Sequence, residues 1–468
     1  MARTPTTKWQ VGAHRFATRR VDNALLHGDS SARHDPLRSS GRAAAVGAVL
    51  AILMLAGCGI LAFLRPAPTI GDAEIVRDDD TGSIYVVRDG VLHPTSGLAS
   101  ARLFVGRPDD ALGVPTERIA DRPRGAAVGI VDAPHSVAVR TDATVWSVCD
   151  RGASPGQAGR TTVSVASDSG TARTRQLGDA MVWRRDDVTY LVHDGVRSRV
   201  DLADTVVVRA LGLDGAVPVP VSAALLDSVP ESRPLDVPRP DGAGAPVSYS
   251  LGGRVVGSVV TVDLGDRSQH YLALADGIQS IGPAVAQVLR FADSAGRVGI
   301  DVIAPDVIAR APRTERPLDV SAFPDTPPRL DTVGDACAVW SAPDAGPVTV
   351  VGGREVPDLR PTAVEQPGAD GGGDAVDSVD LDAGAGVYVV ATDPEVADTR
   401  RDGRFYVSDT GTRYGVPTDD DARALGFGDP VPVPWSMLAL LPAGPTLTVD
   451  AARRSHDGPP VDSVSNGR

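Results

Sequence analysis

The chain has very few lysines and few aromatic residues. Lys8 is the only lysine in 468 residues, and aromatic residues make up 4% of the sequence. A phosphate-binding P-loop has the pattern G-x-x-x-x-G-K-[ST], in which the lysine neutralises phosphate charge. The sequence lacks this motif, so an ATP site would have to be non-standard. The scarcity of aromatics predicts a core built from Val, Leu, Ala and Ile.

Other catalytic signatures are also missing. Eight histidines are scattered along the chain without the H-E-x-x-H spacing of zinc hydrolases. Residues 152–156 match the G-x-S-x-G nucleophile elbow by letter. However, Pro155 follows the serine and has no N–H to donate to an oxyanion. We therefore interpret this segment as a glycine-rich loop and predict no catalytic residue, no metal site and no cofactor.

The distribution of charge is uneven. The formal net charge is −14, yet residues 1–42 carry eight basic and three acidic side chains, so the remainder holds −19. A strongly acidic surface disfavours nucleic acid and anionic lipid as partners of that part of the chain.

Residues 43–64 are 22 consecutive uncharged, almost wholly apolar positions. As a helix they span roughly 33 Å, enough for a hydrocarbon core of about 30 Å. A cleaved signal peptide has a shorter apolar stretch nearer the start of the chain. Leu55-Ala56-Gly57-Cys58 matches the lipobox of bacterial lipoproteins, but residues 59–64 continue the apolar run beyond the cysteine. We predict one transmembrane helix with Cys58 embedded in it.

The basic arm indicates how the span is oriented. Because cytoplasmic flanks carry the excess of Lys and Arg, residues 1–42 are expected inside the cell and the large remainder outside. The predicted organisation is a cytoplasmic arm with an amphipathic helix (1–42), a transmembrane helix (43–64), an extracytoplasmic domain (65–452) and a disordered polar tail (453–468).

Cysteine usage gives a second indication of the compartment. Outside the membrane segment there are only Cys149 and Cys337, each near a tryptophan in an apolar context. They lack the close spacing of zinc or redox motifs. A disulfide in an exported domain is the favoured interpretation, and two unrelated buried thiols are the alternative.

Four segments of the outer region resemble one another. Each has an aromatic start, alternating apolar residues and a turn that contains Asp and Gly, which is typical of a β-hairpin. The turn residues are Asp89 and Gly90, Asp194 and Gly195, Asp276 and Gly277, and, in a looser copy, Asp409 and Gly411. Val-rich runs at 206–209 and 255–262 are further strand candidates.

The sequence after the turns also recurs. The second and fourth segments continue through Ala-Leu-Gly to a Val-Pro-Val-Pro-x-Ser motif that ends at Ser222 and Ser436, while the third runs into a predicted helix from Pro283 to Phe291. The fold class predicted is a single-span membrane protein with a β-rich α+β domain. In that domain, four repeat units surround a central core in a pseudo-two-fold arrangement, and the cysteines join the halves; chance similarity of generic hairpins is the alternative. The aspartate-rich stretch 368–382 lacks EF-hand spacing and is expected to be a solvated loop.

The arm contains apolar residues at helical spacing. Trp9 and Phe16 lie among them, with Arg19 and Arg20 close by, and the helix is expected to end near residue 27. So short a segment cannot bury Trp9 and Phe16 by itself. Periodicity alone leaves two alternatives open, in which the helix lies on the inner leaflet or docks onto a partner.

Several segments together resemble the opening of EccB, the membrane component of actinobacterial type VII (ESX) secretion systems. They are Thr7-Lys8-Trp9-Gln10-Val11, His14-Arg15-Phe16, Arg19-Arg20, Ala24-Leu25, Asp35-Pro36-Leu37-Arg38, Leu55-Ala56-Gly57-Cys58 and Leu64-Arg65-Pro66. The resemblance implies an inner-membrane protein with a cytoplasmic N-terminal helix and a periplasmic domain of four repeats with a disulfide. It also implies an oligomeric assembly with EccC, EccD and EccE, with Trp9, Phe16, Arg19 and Arg20 docking onto a partner.

The function implied is that of a structural subunit of the secretion channel. ATP hydrolysis has been attributed to EccB-like proteins and is the alternative, although no P-loop is present and ATP would be scarce outside the cytoplasm. A weaker alternative is the binding of envelope polymers, because the repeats of EccB-like proteins resemble a cell-wall-binding fold.

Overall fold

The computed structural model describes residues 7–27, 36–64, 69–153, 156–167, 180–265, 267–292, 300–331, 334–342, 347–353, 360, 362–384, 386–393 and 401–456. The chain divides into two compact units, Met1–Thr69 and Ile70–Arg468. The first unit is helical, and the second holds all the β-strands described.

The described part of the first unit contains two helices. Helix α1 is Lys8–His27 and helix α2 is Pro36–Leu64. Helix α2 begins seven residues before the predicted start at residue 43, at a proline, which is tolerated in a first helical turn. Its apolar side chains, such as Leu53, Met54 and Leu55, are exposed. Among the described residues, α2 is the one helix long and apolar enough to cross a membrane.

The second unit opens with a small sheet. Its elements in chain order are β1 Ile75–Asp78, β2 Ile84–Arg88, β3 Val91–Thr95, α3 Leu98–Val105, β4 Leu112–Val114, α4 Thr116–Ala120 and β5 Ala127–Val128. The order across the sheet is β5-β3-β2-β1-β4, and β4 lies parallel to β1. The first three strands form a meander, and the chain crosses over through α3 to add the fourth strand on the far side.

Two long strands and a second sheet follow. They are β6 Ala143–Arg151, β7 Arg160–Ser167, β8 Ala180–Arg185, β9 Val188–His193, β10 Val196–Arg199, α5 Thr205–Leu211, β11 Val219–Pro220 and α6 Ala223–Asp227. The order in this sheet is β10-β9-β8-β11, with β11 parallel to β8.

A third sheet contains β12 Val259–Asp263, β13 Ser268–Ala273, β14 Ile278–Ile281, α7 Pro283–Ala292, β15 Asp301–Val302 and α8 Pro305–Arg310. Its order is β14-β13-β12-β15, again with the last strand parallel to the first. Helix α7 confirms the helix predicted from Pro283. The next strand, β16 Leu330–Asp331, joins β8 of the second sheet.

The chain then returns to β6 and β7. Strands β17 Ala336–Ser341, β18 Thr349–Gly352, β19 Val364–Glu365 and β20 Ser378–Asp380 complete a six-stranded sheet in the order β18-β17-β6-β7-β20-β19. We call it the central sheet. It combines two portions of the chain on either side of the second and third small sheets.

The last sheet contains β21 Val387–Thr392, β22 Arg401–Val407, β23 Arg413–Gly415, α9 Asp419–Leu425, β24 Val431–Pro434 and α10 Trp435–Leu438. Its order is β23-β22-β21-β24, with β24 parallel to β21. Helix α11 Val449–Ala452 leads to β25 Ser455–His456, which pairs with β5. The prediction of disorder from residue 453 is therefore wrong for 453–456; residues 457–468 lie outside the described part.

Apolar clusters join the small sheets in pairs. Ile75 and Val86 of the first sheet share one cluster with Tyr388 of the last sheet, with Phe427 after α9 and with Ala452 of α11. Helices α5 and α7 join the second and third sheets. The largest cluster lies at the central sheet and contains both Trp146 and Trp183. The largest fully buried side chains thus include aromatics, although composition predicted an aliphatic core.

The run at 206–209, predicted to be a strand, lies in helix α5. The carboxylate of Asp204 accepts the backbone N–H of Val206 at 2.9 Å and of Val207 at 3.3 Å, and Gly212 ends the helix in the left-handed conformation. These capping residues outweigh the β preference of three consecutive valines because they satisfy backbone groups that the helix ends would leave unpaired.

Candidate functional site

A disulfide lies at the middle of the central sheet. Cys149 of β6 and Cys337 of β17 are directly opposite in register, with an S–S distance of 1.99 Å and their Cα atoms 4.0 Å apart. Both residues are buried. The bond joins positions 188 residues apart, so it connects the two portions of chain that build the sheet.

The first two predicted turns have the geometry expected of Asp-Gly. Asp89 and Gly90 connect β2 to β3, Asp194 and Gly195 connect β9 to β10, and all four residues have positive φ. Such pairs match the twist of the flanking strands. Asp276 and Gly277 instead belong to a longer connection between β13 and β14, residues 274–277, as Asp409 and Gly411 do between β22 and β23, residues 408–412.

The surroundings of the four turns differ. A Cβ at Gly195 would lie 2.2 Å from the carbonyl oxygen of Val348, and one at Gly411 would lie 2.7 Å from the side chain of Val379. Val348 directly precedes β18 and Val379 lies in β20, so the second and fourth turns pack against the central sheet. By contrast, a Cβ at Gly90 would have no atom within 4 Å.

The third turn is held by a neighbouring loop. The hydroxyl of Thr314 donates to Asp276 Oδ1 at 2.6 Å, and the N–H of Glu315 donates to Oδ2 at 3.3 Å. The Thr314 bond lowers the pKa of Asp276 more than partial burial raises it. The ionised form of the Asp276 carboxyl group therefore stabilises the turn.

Two carboxylates are buried beside the disulfide. Asp150 follows Cys149 on β6, and Asp377 directly precedes β20; both are almost fully inaccessible to solvent. Thr161 donates its hydroxyl to Asp150 at 2.8 Å and its backbone N–H to Asp377 at 2.7 Å. Sequence reasoning missed this pair. The one signal for it was a charged residue within the apolar context of Cys149.

The aspartate-rich stretch 368–382 is not a simple solvated loop. Asp370 accepts backbone N–H groups of Gly373, Asp374 and Ala375. Asp377 and Asp380 are buried, and Asp380 pairs with Arg360 at 2.7 Å. No cluster suited to a metal ion occurs in the described part of the chain.

The arm presents its aromatic residues to solvent. The exposed fraction is 89% for Trp9 and 66% for Phe16. Arg19 and Arg20 are exposed on the same helix, α1. At 3.6 residues per turn, Trp9, Phe16 and Arg20 lie on one face, whereas Arg19 lies to its side. An exposed aromatic face on a helix is typical of a docking surface.

A cleft of about 740 Å³ lies between α9 and the last sheet. Tyr388 and Phe427 line it, with ring centroids 4.9 Å apart. Its two arginines, Arg404 and Arg423, are ion-paired with Asp419 and Asp420, respectively.

These features define a class: a β-rich α+β protein with a disulfide-joined core, a helix long and apolar enough to cross a membrane, and an exposed amphipathic helix. The chain belongs to the EccB family, because the family model described as type VII secretion system ESX-1, transport TM domain B, matches residues 3–461. This confirms the family resemblance identified from the sequence.

Curated relatives that are named EccB proteins align with nearly the whole chain. The sequence is 37% identical to the ESX-3 secretion system ATPase EccB3 of Mycolicibacterium smegmatis, covering 96% of this chain and 91% of that protein. It is 32% identical to the ESX-1 secretion system ATPase EccB1 of Mycobacterium tuberculosis, covering 98% and 96%.

Solved structures from ESX complexes have a similar fold. A chain of an intact ESX-5 inner membrane complex matches with a TM-score of 0.71 and 30% identity, covering 99% of this chain and 98% of that one. An EccB3 dimer from the ESX-3 core complex matches with a TM-score of 0.69 and 34% identity, covering 81% and 99%.

Proposed function

We propose that the chain is a structural subunit of a type VII secretion complex in the inner membrane and supports protein export by holding other subunits together. The observation that carries this proposal is the match over 99% of the chain to a protein of an intact ESX-5 inner membrane complex. The EccB3 dimer among the relatives favours an oligomeric assembly.

The proposed topology is single-pass. The arm, residues 1–42, would lie in the cytoplasm, and the domain of residues 65–452 would lie outside it, in the periplasm. The basic arm supports this orientation, since positive residues are retained on the cytoplasmic side. The buried disulfide between Cys149 and Cys337 also supports it, because structural disulfides persist in oxidising compartments.

The proposed architecture of the outer domain is four repeat units in a pseudo-two-fold arrangement. Each small sheet has a three-strand meander, a helix, and a fourth strand parallel to the first. In each, the third strand also makes a parallel bridge with chain that follows the second helix; the pairs are Leu92 with Arg124, Arg197 with Glu231, Ile278 with Arg313 and Arg413 with Ala443. The Cys149–Cys337 pair would then lie near the axis that relates the halves.

The arm is the proposed docking element for other membrane subunits of the EccC, EccD and EccE types. Trp9 and Phe16 would be buried at the contact, and Arg19 and Arg20 would pair with acidic groups on the partner. The exposure of both aromatic side chains supports this role, because buried aromatic residues dominate the binding energy of interfaces.

ATP hydrolysis is the second candidate function, since curated relatives are named ATPases. We propose that this chain has no such activity of its own and needs no cofactor. Its sequence has no P-loop, and the arginines in the cleft beside α9 are paired with aspartates.

Extraction in mild detergent followed by mass spectrometry tests the proposal. Other membrane subunits are expected to co-purify with the wild-type chain and to be lost from a Trp9→Ala/Phe16→Ala variant. A matched control is Val11→Ala/Val21→Ala on the same helix, which should retain them. Recovery of the chain alone, with magnesium-dependent ATP turnover that persists through purification, would overturn the structural role.

A further inference from the structure

The buried carboxylates of Asp150 and Asp377 form an unusual pair. Their exposed fractions are 1% and 0%, and both accept hydrogen bonds from one residue, Thr161. A buried carboxylate is costly unless it is paired or fully hydrogen-bonded. Two such groups linked through one residue also repel each other when both are ionised.

Among the residues that the structure describes, the other donors to this pair are neutral. Ser222, which caps helix α6, donates its N–H to Asp150 Oδ2 at 2.7 Å and its hydroxyl to Oδ1 at 2.8 Å. The N–H of Gly371 donates to Asp377 Oδ1 at 2.6 Å. Burial raises the pKa of Asp150 despite these hydrogen bonds, and the charge of Asp377 raises it further.

Arginines on the surrounding elements are paired with other carboxylates. The pairs are Arg160 with Glu365, Arg185 with Asp374, and Arg197 with Asp227. Arg151, the next residue on β6, acts on another group: burial raises the pKa of Asp380 and the charge of Arg151 opposes that effect. Asp335, before β17, accepts the N–H of Gly152 at 2.7 Å.

The fourth small sheet provides an internal comparison. Ser436 occupies the place in its Val-Pro-Val-Pro-x-Ser motif that Ser222 occupies in the second sheet. In the described part of the chain, the buried hydroxyl of Ser436 has no hydrogen-bond partner. In the fourth sheet the motif therefore folds against the central sheet without a carboxylate bonded to its serine. The bond from Ser222 to Asp150 of the central sheet is thus not a requirement of the motif.

We propose that Asp150 and Asp377 act as a proton-binding latch that fastens helix α6 and the second sheet to the central sheet more tightly in mild acid. A proton bound by Asp150 removes the repulsion between the two buried charges. The unfolded chain binds that proton only near its ordinary pKa of about 3.9. The folded chain binds it at higher pH, so the free energy of unfolding rises as the pH falls from neutral toward that value.

Thermal unfolding of the full chain in detergent, measured between pH 7 and pH 5, tests the latch. The Tm of the wild type is expected to rise by about 1–3 °C as the pH falls. In an Asp150→Asn variant, which imitates the protonated acid, this rise should disappear. Asp142→Asn is the matched control, because Asp142 is an exposed carboxyl directly before the same strand, and that variant should retain the rise.

Either of two results would overturn the latch: a wild-type Tm that does not rise over this range, or an Asp150→Asn variant whose Tm rises as much as the wild type's. If Asp150→Asn fails to fold, Asp377→Asn gives a second measurement. Removing the like charge should move the rise of Tm to lower pH, and an unchanged profile would contradict the proposal. The outcome is independent of whether other subunits bind the chain.

Discussion

Gly195 lies against the carbonyl oxygen of Val348, so closely that a Cβ at Gly195 would be 2.2 Å from it. The contact fixes the tip of the β9–β10 hairpin against the start of β18. Gly90 has nearly the same backbone conformation, with φ of 77° against 78°, but its tip faces open space. The same turn is therefore a packing element in one sheet and a free loop in another.

This contrast predicts that the same substitution lowers the free energy of unfolding by different amounts at the two glycines. Gly90→Ala is expected to reduce the free energy of unfolding by about 1–2 kcal/mol, because alanine disfavours positive φ. Gly195→Ala should cost clearly more, since the added methyl group also displaces the hairpin from the central sheet. Urea unfolding of the two purified variants measures the difference; equal losses would show that the tip contact contributes nothing.

The disulfide should contribute strongly to stability. In the chain-entropy model, a bond that closes a loop of 188 residues stabilises the fold by about 5 kcal/mol. A Cys149→Ser/Cys337→Ser variant is therefore expected to unfold at much lower urea concentration than the wild type. Cys58→Ser, which removes the free cysteine of α2, is the control and should match the wild type.

The cap of helix α5 can be tested separately. Asp204→Ala removes the acceptor for the N–H groups of Val206 and Val207 and should cost about 1 kcal/mol. Asp214→Ala changes an exposed aspartate after the same helix and should change stability little. If the two variants unfold at the same urea concentration, the capping explanation for this helix is wrong.

The protonation of Asp276 is expected to make the stability of the third turn depend on pH. Its pKa is lowered chiefly by the hydrogen bond from Thr314, so its contribution to stability is present above the unfolded-state value of about 3.9. That contribution is lost as the pH falls below it. An Asp276→Asn variant should therefore lose less stability than the wild type between pH 4 and pH 2.5.

The control for this prediction is Asp89→Asn at the first turn, where no hydrogen bond to the side chain is found among the described residues. Its acid unfolding profile should follow that of the wild type. Thr314→Val offers a second check, because it removes the donor and should reduce the acid-sensitive component in the same way. A Thr314→Val profile identical to the wild type would exclude the bond as the cause.

Local patterns predicted much of the fold. The apolar run beginning at residue 43 predicted the helix that contains it, and periodicity predicted α7 from Pro283. The Ala-Leu-Gly segments, which were noted in the sequence only as a recurrence, place Gly212 and Gly426 in the left-handed conformation at the ends of α5 and α9. In these cases the signal lies within a few residues, and tertiary packing does not reverse it.

Long-range pairing accounts for what was missed. Thr161 and Asp377 are 216 residues apart, so no local pattern could place the two buried carboxylates together. The aromatic core was also not apparent, because a few tryptophans and tyrosines suffice when they are concentrated at the sheet contacts, as Trp146, Trp183 and Tyr406 are. The prediction of a strand at 206–209 was wrong because it considered the β propensity of the valines without the helix caps at Asp204 and Gly212.

The pairing of the first small sheet with the last determines when the domain can finish folding. Ile75 and Val86 share their apolar cluster with Phe427 and Ala452, more than 300 positions later in the sequence. A nascent chain must therefore leave one face of its first sheet uncovered until nearly all of the domain has been synthesised. The part made first is completed last, and the interval before completion is when the chain is most exposed to aggregation and proteolysis.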